Sequence, residues 1–303
     1  MTPATPSKLL TIMPRSLQNK TILISGASSG IGRATALACA WAGMNVSISA
    51  RRTDKLEQLA KQVSDLNRKA HFFTCDVSQP EQVKAWVAEA YDTMGRVDAV
   101  YANAGYGIVC PAMEMSLAQH RAMFEVNYFG TVHLLREALP CLGTTPDGLK
   151  HLLICSSCLS EVGPPASGVY AATKAAQDML AQSMRAELAG EGYSVTSVHP
   201  VGTKTEFFDQ AKKNTDPKYA DSLDTPDFLM QTPEKVAKRI VGALRRPCAE
   251  VWPMRTARFA AAVATALPGV TAWVLRKGYE KKNGPPPDSS EAHATAEQAK
   301  SEA

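Results

Sequence analysis

The chain has 303 residues, with 33 Lys and Arg against 29 Asp and Glu, a formal net charge of +4. Apolar residues make up 45% and charged residues 20%. That is the balance of a chain that folds around a core, and it excludes a largely disordered, collagenous or polytopic membrane protein. A net charge of +4 on this length gives no basis for a nucleic-acid partner.

In chain order, KTILIS (20–25) predicts a strand, followed by a glycine-rich turn and an Ala-rich helix to about Gly43. NVSISA (45–50) predicts a second strand, and a helix capped by Thr53 follows, with apolar residues at 56, 59, 63 and 66. HFFTCDV (71–77) is a third strand; Ser78 is expected to cap the next helix, with Pro80 in its first turn and its end near Gly95. VDAVYANAG supplies a fourth strand and its loop, and Ser116 caps a long helix to about Leu139. A fifth strand (151–157), a helix from Gly168 to about Gly190 and a sixth strand (193–200) come next. Residues 206–231 read as irregular or short-helical, 233–245 as a helix, and AEVWPM as a last strand. Such alternation predicts an α/β fold, a parallel sheet of about seven strands doubly wound by helices on both faces.

The domain organisation expected is an N-terminal extension over 1–19, a catalytic domain over 20–254, apolar and basic helices over 255–282 and a tail over 283–303. The tail has almost no large apolar side chains and is expected to be disordered. The N-terminus has no long apolar run, so no secretory signal is expected. The seven cysteines are odd in number and irregularly spaced, which fits free thiols in a cytoplasmic protein. Cys155 and Cys158 form a C-x-x-C, but at the end of an apolar strand rather than at the start of a helix, so a redox pair is not expected.

GASSGIG (26–32) lies between the first strand and the first helix. Glycines at 26, 30 and 32 would allow a sharp turn, approach of the backbone to a pyrophosphate and close helix–sheet packing, with the helix N-terminus facing the phosphates. The spacing differs from the common G-x-G-x-x-G fingerprint. The second strand ends in Ala50-Arg51-Arg52. An acidic residue there would bind the ribose of NAD, whereas Arg51 and Arg52 could pair with a 2′-phosphate, which favours NADP(H) over NAD(H). The bland alternative for either arginine is a solvated turn.

Tyr170 and Lys174 lie four apart near the start of a predicted helix, 13 residues after Ser157. The spacing puts both on one face, where an ammonium would lower the pKa of the phenol toward neutrality and fit it for proton transfer. With these residues in place, the sequence resembles the short-chain dehydrogenase/reductase family. GASSGIG, Asp76 in CDV, ANAG (102–105), Asn127 in NYFG, Ser157 in CSS and YAATK (170–174) occur in the family's order, over residues 20–205.

The resemblance implies a Rossmann-type fold with Tyr170 as acid/base, and Lys174 lowering its pKa and holding the nicotinamide ribose. It also implies that Ser157 binds the substrate oxygen, and that Asn127 supports a water that relays protons through Lys174. Gly26, Ser28, Ser29, Gly30, Ile31 and Gly32 would line the dinucleotide, with Asp76 and Val77 flanking the adenine and Asn103, Ala104 and Gly105 forming the floor beside it. After the sixth strand, Pro200, Thr203 and Thr205 are the expected cofactor contacts. Here Thr203 stands where the family has an aliphatic residue, and the glycine is displaced by one position. The resemblance further implies a homo-oligomer formed through the helices at 116–139 and 168–190.

Residues 206–231 would cover the substrate, with Phe207, Phe208, Phe228, Leu229 and Met230 as apolar walls or as anchors of the segment. FAAAVATALPGVTAWVL (259–275) carries no charge, and residues 255–282 hold six Lys or Arg against one Glu. Pro268-Gly269 breaks this stretch into two short helices. They fit a subunit interface, a cap over a hydrophobic pocket, plain core, or peripheral contact with a membrane. The expected function is therefore an NADP(H)-dependent oxidoreductase acting on a small hydrophobic carbonyl or alcohol. The alternative is a catalytically silent NADP-binding protein or membrane-peripheral scaffold.

Overall fold

In the computed structural model, residues 14–216, 219 and 230–283 are described, with 282 and 283 by their backbone alone. Expectations for 1–13, for Phe228 and Leu229 and for the tail after 283 lie outside the described residues. Seven strands form one sheet: β1 (Thr21–Ser25), β2 (Asn45–Ala50), β3 (Ala70–Thr74), β4 (Ala99–Ala102), β5 (His151–Cys155), β6 (Ser194–Val198) and β7 (Glu250–Val251). All neighbours pair in parallel, in the order β3-β2-β1-β4-β5-β6-β7. The strand order therefore reverses at β1, and the crevice beside the carboxyl ends of β1 and β4 is where such sheets bind ligands.

The helices are α1 (Gly30–Trp41), α2 (Thr53–Asp65), α3 (Pro80–Met94), α4 (Leu117–Phe124), α5 (Gly130–Ala138), α6 (Gly168–Glu187), α7 (Glu206–Asn214), α8 (Pro233–Arg245), α9 (Arg255–Ala266) and α10 (Pro268–Asn283). Strand side chains alternate between the faces. Ile22 and Ile24 join one core with Leu56 and Leu59 of α2 and Ile240 and Leu244 of α8. Leu23 joins the opposite core with Trp86 of α3, Leu134 of α5 and Ala181 of α6. Both faces are buried, so the strands read as apolar runs. Residues 14–19 do not stand apart as an extension: Leu17 is part of the first core, and the Arg15 amide donates to the Arg245 carbonyl at 2.8 Å.

At the amino end of the sheet, opposite the crevice, buried Asp98 ties three segments together. It accepts from the Thr21 amide (2.8 Å), the Leu149 amide (3.0 Å) and both Nε and Nη2 of Arg96 (2.7 Å each).

Three local expectations are corrected. Thr53 does not cap α2; Arg52 holds the N-cap position, and the Thr53 hydroxyl pairs with Thr74 across the strand end. Ser78 does not cap α3, which starts after Gln79; its hydroxyl instead donates to Asp76. The long helix after Ser116 does begin with a capping box between Ser116 and Gln119, but it is interrupted by a π turn over Glu125–Phe129. This wider turn holds Asn127, whose amide nitrogen reaches Thr173 in α6 at 3.0 Å, as π turns at functional sites often do.

Candidate active site

The glycine loop after β1 fits a phosphate-bearing ligand through its backbone. Gly26 has φ +66°, and a Cβ there would lie 2.7 Å from the Ala104 Cα. At Gly30, φ +55°, a Cβ would meet Thr205 at 3.0 Å. Side chains at these positions would be strained and would also fill the cradle. The loop is held by β4: Asn103 Nδ2 donates to the carbonyls of Ser25 (3.0 Å) and Gly26 (3.2 Å), and the Ala104 amide donates to Ser25 Oγ. Ser29 precedes α1 at its N-cap, and Ile31 packs on the first core.

Beside this loop, Arg52 donates from Nε (3.2 Å) and Nη2 (2.9 Å) to Ser28 Oγ. Its Nη1 pairs with Glu206 Oε2 at 2.7 Å. The hydrogen bond from Arg52 holds the Glu206 carboxyl below its usual range despite partial burial, with Ser29 contributing. Arg51 is exposed, and its charge reaches the Tyr106 phenol, offsetting part of the rise that burial imposes there. Asp76 accepts from the amide (3.0 Å) and hydroxyl (2.8 Å) of Ser78. Val77 is buried, packed against Gly130.

The end of β5 and the start of α6 bring Ser157, Tyr170 and Lys174 together. The Ser157 hydroxyl lies close enough to the Tyr170 phenol to favour its ionised form, and it accepts from the Leu159 amide at 3.1 Å. Ser156 is turned away, donating to the Lys174 carbonyl at 3.0 Å. Lys174 is buried, and its Nζ donates to the Cys155 carbonyl (2.8 Å) and to Gln177 Oε1 (2.9 Å). It lies 5.7 Å from the centre of the Tyr170 ring. Gly105 separates it from Asn127: a Cβ on Gly105 would lie 3.1 Å from Asn127 Oδ1 and 3.3 Å from Lys174 Nζ. The Asn127 side chain is committed to the Tyr106 backbone, accepting from its amide at 2.9 Å and donating to its carbonyl at 3.0 Å.

The electrostatics differ from the expectation of a phenol pKa lowered by its lysine. Burial pushes the Tyr170 phenol well above its usual range; the Cys155 and Cys158 thiols add to this and the Ser157 hydrogen bond subtracts from it. Burial likewise lowers the Lys174 ammonium. Desolvation wins because the hydrogen bonds of Lys174 go to Cys155 and Gln177 rather than to the phenol. Cys155 and Cys158 are free thiols, and burial raises the pKa of Cys158, the opposite of a redox-active thiol.

The loop after β6 places its residues unequally. The Pro200 carbonyl accepts from the Cys158 amide at 3.0 Å. Thr203 is buried, with its hydroxyl on the Val201 carbonyl at 2.7 Å. Thr205 lies over Gly30 and caps α7, accepting from the Phe207 amide at 3.2 Å. Phe207 then lies against Tyr170, with ring centres 5.6 Å apart, and Ile108, Met115, Met123 and Val169 form an apolar cluster on which the Tyr170 ring packs.

Two residues of the site carry no motif. Gln177 links Lys174 to Thr131, to which its Nε2 donates at 2.6 Å; its i+3 spacing from Lys174 was the available signal. Glu206 lies far from Arg52 in sequence, and only the fold joins them.

The short chain dehydrogenase family profile matches residues 20–216. An uncharacterized oxidoreductase of Listeria monocytogenes is 31% identical over 233 residues, covering 76% of this chain and 92% of its own. The glycine betaine reductase of Emericella nidulans is 33% identical over 237 residues and 76% of this chain, which spans only 18% of that longer protein. Among solved structures, an alcohol dehydrogenase from Thermococcus sibiricus complexed with 5-hydroxy-NADP is similar at TM-score 0.67 and 27% identity, over 77% of this chain and 95% of that one. Sheet order, glycine loop and these likenesses agree, and the chain belongs to the short-chain dehydrogenase family of oxidoreductases.

Proposed function

We propose that this oxidoreductase uses NADP(H) to interconvert a carbonyl and a secondary alcohol on a hydrophobic substrate, with Tyr170 as the proton donor and acceptor. The observation that carries this reading is the convergence of Ser157, Tyr170 and Lys174 on one side of the glycine cradle. Preference for the 2′-phosphate is supported by Arg51 and Arg52 after β2, a strand end with no acidic residue of its own, and by the NADP analogue held by the Thermococcus sibiricus relative. A hydrophobic substrate is supported by Phe207 and the apolar cluster around Tyr170.

The glycine loop would hold the pyrophosphate, Arg52 and Ser28 the adenosine end, and Lys174 the nicotinamide ribose. When bound, the nicotinamide supplies or accepts the hydride. Ser157 donates a hydrogen bond to the substrate oxygen where negative charge develops. Tyr170 keeps its proton at neutral pH because burial raises its pKa, so it is set to protonate that oxygen in the reductive direction. The reverse reaction needs the phenolate and gains with rising pH. Exposed Leu117, Phe129 and Met179 around α4 and α6 support a subunit interface there.

The test is Tyr170→Phe with NADPH and a panel of hydrophobic carbonyls, followed at the absorbance of the reduced cofactor. Turnover should fall by about 10²–10⁴, the usual share of a general acid, while NADPH affinity stays within about twofold. Retained turnover would remove Tyr170 from the chemistry.

A further inference from the structure

The C-terminal helices reverse the usual arrangement of an amphipathic helix. In α9 the small residue Ala261 is buried, with Ala257 and Ala264 half-buried. The large residues face out instead: Phe259 is 74% exposed and Val263 41%, at helical spacing. The stripe continues through Leu267 into α10, where Val270, Trp273 and Val274 are each more than half exposed. A water-facing helix carries polar residues on such a face, and an apolar surface of this kind marks an interaction site.

Beside it lies a strongly cationic groove. Between α8 and α9 a cavity of about 1100 Å³ is walled by Lys235, Lys238, Arg239, Arg246, Arg255 and Arg258, and Glu250 is the one carboxylate on its described walls. That carboxylate already pairs with Arg258 at 3.1 Å and accepts from Trp252 Nε1 at 2.7 Å. Phe259 of the exposed stripe belongs to the groove's apolar lining, together with Ala262, Val251 and Trp252. Grease and cations thus adjoin on one surface.

We propose that this surface docks on an anionic lipid bilayer, with Phe259, Leu267 and Trp273 entering the interfacial layer and the groove receiving phosphate headgroups. Charge complementarity selects a lipid surface over a second copy of the chain, since two such grooves would repel each other. The surface lies on the bilayer and does not span it. Among the described residues no single helix is long and apolar enough to cross; α9 and α10 are so only as a pair, and they meet at a bend of 111°. The 12 residues of α9 extend only about 18 Å, short of a hydrocarbon core of about 30 Å. A tryptophan in the stripe and flanking Arg and Lys suit the headgroup region. α9 also packs beside the Cys158–Ser160 turn that follows Ser157, so the helix that carries the docking face adjoins the segment after Ser157.

The experiment is cosedimentation of the full chain with vesicles of phosphatidylcholine alone or mixed with phosphatidylglycerol, which requires no turnover. Binding to the mixed vesicles should be at least about tenfold tighter and should weaken as salt rises. Lys238→Glu with Arg239→Glu should abolish the preference. Phe259→Ser with Trp273→Ser should lose about tenfold on both kinds of vesicle, with thermal unfolding showing that each variant is folded. Equal binding to both vesicles, or none to either, overturns the proposal. So does resistance to alkaline carbonate extraction, which would mean insertion, or a dimer broken by Phe259→Ser in a chain that ignores vesicles.

Discussion

Glu206→Gln tests the cofactor assignment most directly. Arg52 is the arginine that contacts the glycine loop through Ser28, yet its Nη1 is occupied by Glu206. A 2′-phosphate must displace this carboxylate or sit beside its charge. The two side chains are 40% and 45% exposed, so the pair is worth about 0.2–1 kcal/mol. The phosphate outcompetes it through greater charge and two-pronged hydrogen bonding. Glutamine keeps the length of the side chain and removes the charge. NADPH should then bind up to about fivefold tighter, the equivalent of about 1 kcal/mol. NADH, with a hydroxyl at that position, should change by less than about twofold.

Glu206 also opens α7, where a carboxylate favours the helix N-terminus; any loss of helix stability should affect both cofactors alike and leave their ratio untouched. The assay is a fluorescence titration of wild type and variant with each cofactor at low and high salt, where the gain should shrink as salt screens the exposed charges. An unchanged or reduced NADPH-to-NADH affinity ratio would refute the placement of the 2′-phosphate at Arg52.

If Lys174 supports the chemistry as proposed, Gln177, which accepts from its Nζ at 2.9 Å, should act on catalysis through it. Removing its acceptor oxygen with Gln177→Leu should destabilise the buried ammonium and move the alkaline limb of the rate profile to lower pH, and Gln177→Glu should move it back up. A purely structural role would shift stability and leave the limb in place. His151, buried at the start of β5, has its pKa pushed down to about 3 by burial and then by the charge of Arg15. Between about pH 6.5 and 3 the unfolded chain binds a proton that the folded chain refuses, so stability falls as pH falls. At pH 5 this costs about 2 kcal/mol, and urea melts of His151→Gln should show that part of the acid dependence gone. Asp98→Asn should lower stability by about 1–3 kcal/mol in the same melts, because it leaves Arg96 with Asp147 as its remaining carboxylate and turns an amide nitrogen toward either the Thr21 or the Leu149 donor.

The succession of strands and helices, the glycine cradle and the Tyr170–Lys174 pair were legible in the sequence because each rests on short-range pattern. Apolar runs mark strands buried on both faces, a backbone that must turn with φ near +60° demands glycine at 26 and 30, and four residues of helix bring two side chains to one face. Ser157 could be set against Ser156 by its distance along the chain from Tyr170. Other features depended on contacts between distant segments. The Arg52–Glu206 pair spans 154 residues, and the π turn at Asn127 is a local break in an apparently regular helix. The sign of the Tyr170 pKa shift depended on how deeply α6 is buried and on where Lys174 spends its hydrogen bonds. The inward alanines and outward Phe259 and Trp273 likewise became visible only once α9 lay against the body of the protein. Periodicity tells that a helix has an apolar side, and only packing tells whether that side meets the core or the solvent.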